Sequence, residues 1–196
     1  MAAMRAKTRE LGDLFTRDEA LAAGMTVREL YSLRDSGELI ALGRGLYRRA
    51  DAPPADFNLI EIAERALNAT LCLETALSRH GLLDAIPAAI DIAIPRGAHR
   101  PRLSAPIRLH LFHPDTFDIG RETIDVGART RLGLYSAERS LIDYIRLRHA
   151  QGSDQAWEAL RRWLALPGRN PGHLLRMAKS FKGAEAPLRG ALEILL

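Results

Sequence analysis

Between Thr16 and Arg49 the spacing of hydrophobic and polar positions changes from helical to alternating. Over residues 17–23 and 27–36 apolar side chains recur three and four apart, which predicts short helices, and from 38 to 49 they fall in brief apolar-rich runs, which predict strands. Thr16 with Glu19, and Thr26 with Glu29, fit the capping box, in which a threonine hydroxyl and a glutamate three residues on satisfy the free amides of a helix start. Gly24 and Gly37 stand where each helix must close in a left-handed residue. Glu-Leu-Ile-Ala-Leu (38–42) and Leu-Tyr-Arg-Arg (46–49) flank Gly43-Arg44-Gly45, a hairpin with a cationic tip. Helix, tight turn, helix and hairpin outline a winged helix-turn-helix.

The helix over 17–23 is expected to turn Ala20, Leu21 and Ala23 to the core. The helix over 27–36 is expected to align Val27, Leu30, Tyr31 and Arg34, with Leu33 broadening the stripe. Residues 1–12 predict a helix or arm carrying Arg5, Lys7 and Arg9. Pro53-Pro54 marks a boundary, which divides the chain into a winged helix-turn-helix domain at 1–52 and a second domain at 53–196. Helical patterns resume from Phe57 and again over 71–82, the latter ended by Gly81. Between 88 and 136 the period shifts toward two, predicting strands at 89–95, 107–113, 122–127 and 131–136, mostly antiparallel because the loops look short. Ser136 is placed to cap a helix burying Leu141, Ile142, Tyr144 and Ile145, and a further helix carries Trp157, Leu160, Trp163 and Leu164 on one side. Two last helical segments, 173–182 and 187–196, follow. The fold class is α+β: an N-terminal winged helix-turn-helix, then a mixed domain with a small, mostly antiparallel sheet and C-terminal helices.

Charge adds a direction to this outline. The net charge is +4, but residues 1–52 hold 9 basic and 8 acidic side chains, residues 53–128 hold 7 and 10, and residues 129–196 hold 12 and 6. The basic excess therefore lies in the last third, and the winged segment is nearly neutral. Its affinity for DNA must depend on where individual arginines point. In this geometry the early turns of the second helix enter the major groove, so Thr26, Arg28 and Ser32 are the candidates for base or phosphate contact, with Arg34 at the margin. Arg44 at the hairpin tip and Arg48 and Arg49 at its end are placed to reach the minor groove or backbone. The isolated 16–49 segment is expected to bind DNA more weakly than the full chain, with a shallower salt dependence.

Catalytic and metal patterns are not found. His110 and His113 are three apart on an expected strand, where they face opposite ways, so they do not form a metal pair. The acids Asp115, Asp118, Glu122 and Asp125 lack the lysine that a restriction-type core places after its acid, since the only lysines are Lys7, Lys179 and Lys182. Asp91 alternates with Ile90 and Ile92 but lacks the loop and paired acids of a nucleotidyltransferase. There is no phosphate-cradling Gly-rich loop, G-x-S-x-G elbow or H-E-x-x-H. The reading is of a non-enzyme without cofactor or metal. Cys72 is expected to be a buried thiol. Neither a membrane-spanning run nor a signal-peptide core is present, so a cytoplasmic protein is expected.

Arg-Gly-Leu-Tyr-Arg (44–48), Leu-Cys-Leu-Glu-Thr-Ala-Leu-Ser-Arg-His-Gly-Leu (71–82) and Thr-Arg-Leu-Gly-Leu-Tyr-Ser-Ala-Glu-Arg-Ser-Leu-Ile-Asp-Tyr-Ile-Arg (130–146) together resemble the AbiEi family over roughly residues 14–150. These are antitoxins of type IV, AbiE-like toxin-antitoxin systems, also described as transcriptional regulators of phage defence. The resemblance implies that the winged helix binds inverted repeats in its own promoter as a repressor, and that the C-terminal domain neutralises a cognate nucleotidyltransferase-like toxin. It implies double-stranded DNA and the toxin as partners, with a monomer or weak dimer assembling cooperatively on DNA. The alternatives are a stand-alone winged-helix regulator and a protein-interaction module without antitoxin activity.

Overall fold

A computed structural model of the chain describes residues 2–84, 87–127 and 130–196, with the side chains of residues 2–5 and Gln151 left aside. Arg5, one cation of the expected N-terminal arm, thus has its side chain outside the described set. The elements in order are α1 (Ala2–Glu10), β1 (Leu14–Thr16), α2 (Arg17–Ala22), α3 (Val27–Asp35), β2 (Leu39–Ala41), β3 (Leu46–Arg49), α4 (Phe57–Arg65), β4 (Thr70–Leu71), α5 (Leu73–Arg79), β5 (Ile90–Pro95), β6 (Ile107–Phe112), α6 (Pro114–Phe117), β7 (Arg121–Asp125), β8 (Arg131–Tyr135), α7 (Ala137–Arg146), α8 (Arg148–Gln151), α9 (Ser153–Ala165), α10 (Pro171–Ala178) and α11 (Glu185–Leu195). Among the described residues no helix is long and apolar enough to cross a membrane.

The chain packs as two compact units. The first holds residues 1–67 with 101–105 and 125–131, and the second holds 68–100, 106–124 and 132–196. The first unit thus takes in more of the chain than the expected 1–52. Its helices begin as their sequences dictate. Thr16 and Thr26 each accept the backbone N–H of the glutamate three residues on at 3.2 Å, while that glutamate accepts the threonine N–H at 2.7 Å. Gly24, with φ +78°, turns the chain between α2 and α3. Phe15, Ala20, Met25, Leu30, Leu33, Leu39 and Tyr47 make a buried cluster, and each large member removed from water contributes about 1.5–3 kcal/mol.

Side-chain placement departs from the sequence reading at Ala23 and Tyr31, which are exposed rather than turned to the core. The wing has a third strand that the sequence did not suggest. Strand β1 pairs antiparallel with β3, setting Phe15 opposite Tyr47, and β2 flanks β3 on the other side, setting Leu39 opposite Arg49. The rings of Phe15 and Tyr47 stack at 6.4 Å between centroids, a cross-strand pair that holds this short strand in register.

The second unit is a five-stranded sheet in the order β6-β5-β4-β8-β7. It is mixed rather than mostly antiparallel: β5 with β6 and β4 with β8 run parallel, and β4 with β5 runs antiparallel. The segment between β5 and β6 is long enough to carry the chain back before pairing, which a hairpin loop could not do. The helix expected over 71–82 is found as α5, preceded by the short strand β4, and its first residue Leu73 lies in the left-handed region at φ +46°. Ser136 caps α7 by accepting the Arg139 N–H at 3.2 Å. As expected, Leu141, Ile142, Tyr144 and Ile145 are buried in the core that α5, α7, α9, α10 and α11 build with the sheet.

That core also encloses charge. Arg139 is fully buried, with Nε 2.8 Å from the Asp143 carboxylate and Nη1 donating at 2.6 Å to the carbonyls of Thr116 and Ile119. Its guanidinium lies 4.3 Å from the Tyr135 ring centroid and 4.2 Å from that of Phe181. Cys72 is buried, and burial pushes its thiol up, well above the ordinary range. Asp91, also buried, accepts from His110 at 2.8 Å and from Arg108 at 3.1 Å, so its carboxylate fixes β5 against β6.

Candidate nucleic-acid interface

Helix α3 divides along its length. Leu30 and Leu33 are buried, while Arg28, Ser32, Arg34 and Asp35 are exposed on the remaining surface. Of the four residues expected to contact DNA from this helix, two are free to do so. The Thr26 hydroxyl is committed to the capping box, accepting from Glu29 N and donating to its carboxylate at 2.9 Å. Arg34 is held by Asp35 through Nε at 2.8 Å and Nη2 at 2.7 Å and lies 4.6 Å over the exposed Tyr31 ring. The Asp35 carboxylate raises the Arg34 pKa further and cancels its charge locally. Arg28 has no ion-pair partner among the described residues, and Ser32 is open.

The wing treats its three arginines in three ways. Arg44 is exposed at the turn. That turn is fixed from behind by α4: Arg65 donates to the Arg44 carbonyl, and Gly43 sits against the Glu61 carboxylate. Glu61 is itself buried and accepts the amides of Ser104 and Ala105 at 2.8 and 2.9 Å. Arg48, expected to face DNA, is buried instead, with its guanidinium donating to the Pro53 carbonyl and lying 5.3 Å from the Phe57 ring centroid. It holds the wing to α4, so the expected role is corrected. Arg49 is bound by Asp51 at 2.8 and 2.9 Å, with Asp13 at 3.9 Å, which leaves no unpaired charge there. The Arg49 guanidinium holds the Asp51 carboxyl below its usual value.

One cation was missed in the sequence. Arg17 is exposed, has no ion-pair partner among the described residues, and donates its backbone N–H to the Gly45 carbonyl at 2.8 Å. Its Cβ would be 3.8 Å from a Cβ on Gly45, so Arg17 stands beside the wing turn. The pairing of β1 with β3 places it there, and no local pattern announces that pairing. Lys7 donates to the Gly24 carbonyl at 2.7 Å and ties α1 to the turn of the helix pair. Arg17, Arg28 and Arg44 are therefore the unpaired guanidiniums of the helix-turn-helix and wing, and they offer phosphate or guanine contacts without a carboxylate to displace.

No curated protein matches the chain. Among solved structures, the crystal structure of the RV2827C protein from Mycobacterium tuberculosis is similar in fold, with a TM-score of 0.59 and 19% identity, covering 97% of this chain and 79% of that one. Over residues 4–50, which span α1, the helix pair and the wing, the chain matches the model of the family described as transcriptional regulator, AbiEi antitoxin, and this segment is an AbiEi-like winged helix.

Proposed function

We propose that the chain is a DNA-binding antitoxin that represses its own operon through the winged helix and neutralises a cognate nucleotidyltransferase-like toxin through the second unit. The observation that carries the DNA half is the set of unpaired guanidiniums, Arg17, Arg28 and Arg44, on the segment that resembles AbiEi regulators. Inverted repeats suit this arrangement, because each copy of the chain offers one recognition helix. The toxin half rests on the family resemblance. No catalytic role is assigned: Asp91 is engaged with Arg108 and His110, and the buried Asp143 with Arg139 and Arg146.

The test is a mobility shift of the full chain on the DNA upstream of its own reading frame, over a salt series. The expected result is a salt-sensitive shift that Arg28→Ala with Arg44→Ala abolishes. A shift absent at every salt concentration overturns the DNA half. For the toxin half, co-expression with a neighbouring nucleotidyltransferase-like reading frame is expected to restore growth, and failure to restore it overturns that half. Complex formation with a protein partner and no DNA affinity would support an interaction module instead.

A further inference from the structure

Several arginines in the second unit are paired with carboxylates. Arg146 meets Asp143 at 2.7 Å, Arg162 meets Asp84 at 2.5 Å and Glu158 at 2.6 Å, Arg169 meets Glu138 at 3.2 Å, and Arg189 meets Glu185 at 2.8 Å. Two that are not paired flank one groove. This groove, of about 380 Å³, has Trp157 and Arg161 of α9 on one wall, Pro187, Ala191 and Ile194 of α11 on the other, and Arg148 of α8 at its edge. Arg161 is exposed with no ion-pair partner among the described residues. Among the described residues Arg148 donates to the Ile145 carbonyl, at 3.0 Å, and has no ion-pair partner. Among the described residues the lining contains no acidic one.

The walls are built for a helix. On α11, Pro187, Ala191 and Ile194 follow one another at spacings of four and three and form a stripe along one face, while Leu188 and Leu192 bury the other. Ile194 is 85% exposed, so this end of the stripe has no cover within the described chain, while Ala191 is partly buried against the core. Trp157 and Arg161 stand one turn apart on α9, so the groove runs along a helical ridge of the kind into which a third helix packs.

We infer that this groove is the docking site for an amphipathic, acidic helix of a protein partner. Aliphatic residues at i, i+3 or i+4 and i+7 of that helix would fill the floor over Ala191 and Trp157, and its flanking carboxylates would meet Arg148 and Arg161. Charge complementarity selects this occupant. A nucleic acid would gain the two guanidiniums but would set phosphates against an apolar floor. A second copy docking groove to groove would bring four arginines together without a carboxylate, because a two-fold contact repeats the same surface on both sides. The inference deepens the reading of the second unit as the toxin-facing part and rests on that reading.

The test uses the full chain and two synthetic helical peptides, one with a leucine stripe and glutamates elsewhere, the other with lysines in place of the glutamates. Trp157 lies in the groove, so binding is read from tryptophan emission, with Trp157→Phe as the control that removes the signal. The acidic peptide is expected to bind saturably and at least tenfold more tightly than the basic one. Arg148→Glu with Arg161→Glu is expected to invert that preference, and Ala191→Arg to abolish binding of both. Equal binding of the peptides, or none, overturns the inference, as does a dimer in sedimentation that Ala191→Arg dissociates. Acidic-peptide binding together with failed toxin neutralisation would leave the groove standing and sink the toxin reading. Neutralisation that survives Ala191→Arg would do the reverse.

Discussion

A Cβ on Gly43 would stand 2.5 Å from the Glu61 carboxylate oxygen, so the wing turn and helix α4 meet at a point that admits no side chain. The backbone there has φ +138°, which L residues rarely adopt. Glu61 cannot easily give way, since its two oxygens are held by the amides of Ser104 and Ala105. Gly43→Ala is therefore expected to destabilise the first unit by about 1–3 kcal/mol and to weaken DNA binding by displacing Arg44. Chemical denaturation with a mobility shift checks this. An unchanged midpoint would show that the turn relaxes freely.

Arg48 and Arg28 should fail in opposite ways. Arg48 is buried between the Pro53 carbonyl and Phe57, so Arg48→Ala is expected to cost about 1–3 kcal/mol of stability through lost hydrogen bonding and packing. The DNA affinity of the fraction that stays folded should keep its salt slope. Arg28→Ala removes an exposed, unpaired guanidinium, so stability should move by less than about 0.5 kcal/mol, while the slope of log K against log salt falls by about 1. Denaturation curves and a salt series on both variants separate the cases, and a stable Arg48→Ala protein with weakened DNA binding would return that residue to the interface.

Arg17 is expected to behave like Arg28. If its position beside Gly45 lets it share a phosphate with Arg44, then Arg17→Ala lowers the salt slope by about 1, and combining it with Arg44→Ala lowers it by less than the two changes taken separately. Additive losses would mean separate phosphates. No change from Arg17→Ala would mean that the DNA lies elsewhere.

What could be read from the sequence was what neighbouring residues decide. Both capping boxes, the left-handed Gly24 and Gly37, and the hairpin with Arg44 at its tip are set by contacts within a few residues, and each is found where expected. Strand β1 was not legible, because three residues carry no usable alternation and their partner lies some thirty positions on. The fate of Arg48 was hidden for a related reason. Leu46, Tyr47 and Arg48 are buried in succession, which happens when both faces of a strand are covered. Phe57 helps to cover the second face, and it follows the paired prolines that looked like a boundary. The direction of pairing in the larger sheet was hidden as well, since the length of the segment between β5 and β6 allows either a loose hairpin or a crossover.

The capping glutamates make the helix pair sensitive to acid. Hydrogen bonds from the backbone and then the hydroxyl of Thr16 lower the Glu19 pKa, and those of Thr26 do the same for Glu29. A depressed folded-state pKa means that these boxes stabilise the fold at pH above the unfolded value of about 4.3. That contribution fades as pH falls through the lower folded value. Glu29→Gln is expected to lower the melting temperature at pH 7 and to flatten its decline between pH 5 and pH 3. A decline as steep as that of the unaltered chain would place the acid sensitivity elsewhere.

The buried pair of Arg139 and Asp143 should be easier to replace than to break. Asp143 accepts from Arg139 at 2.8 Å and from Arg146 at 2.7 Å, and its side chain is fully buried. Asp143→Ala leaves the Arg139 guanidinium enclosed with two carbonyls and the rings of Phe112, Tyr135 and Phe181, at an expected cost of about 3–5 kcal/mol. Arg139→Met leaves a buried carboxylate whose remaining partner, Arg146, is partly exposed, and the cost should be similar. Joining Arg139→Met to Asp143→Leu removes both charges and refills the volume, though it frees the Thr116 and Ile119 carbonyls, so the double variant should be more stable than either single change. A double-mutant cycle by urea denaturation, completed with Asp143→Leu alone, measures the coupling. Additive losses would mean that the two charges are solvated independently.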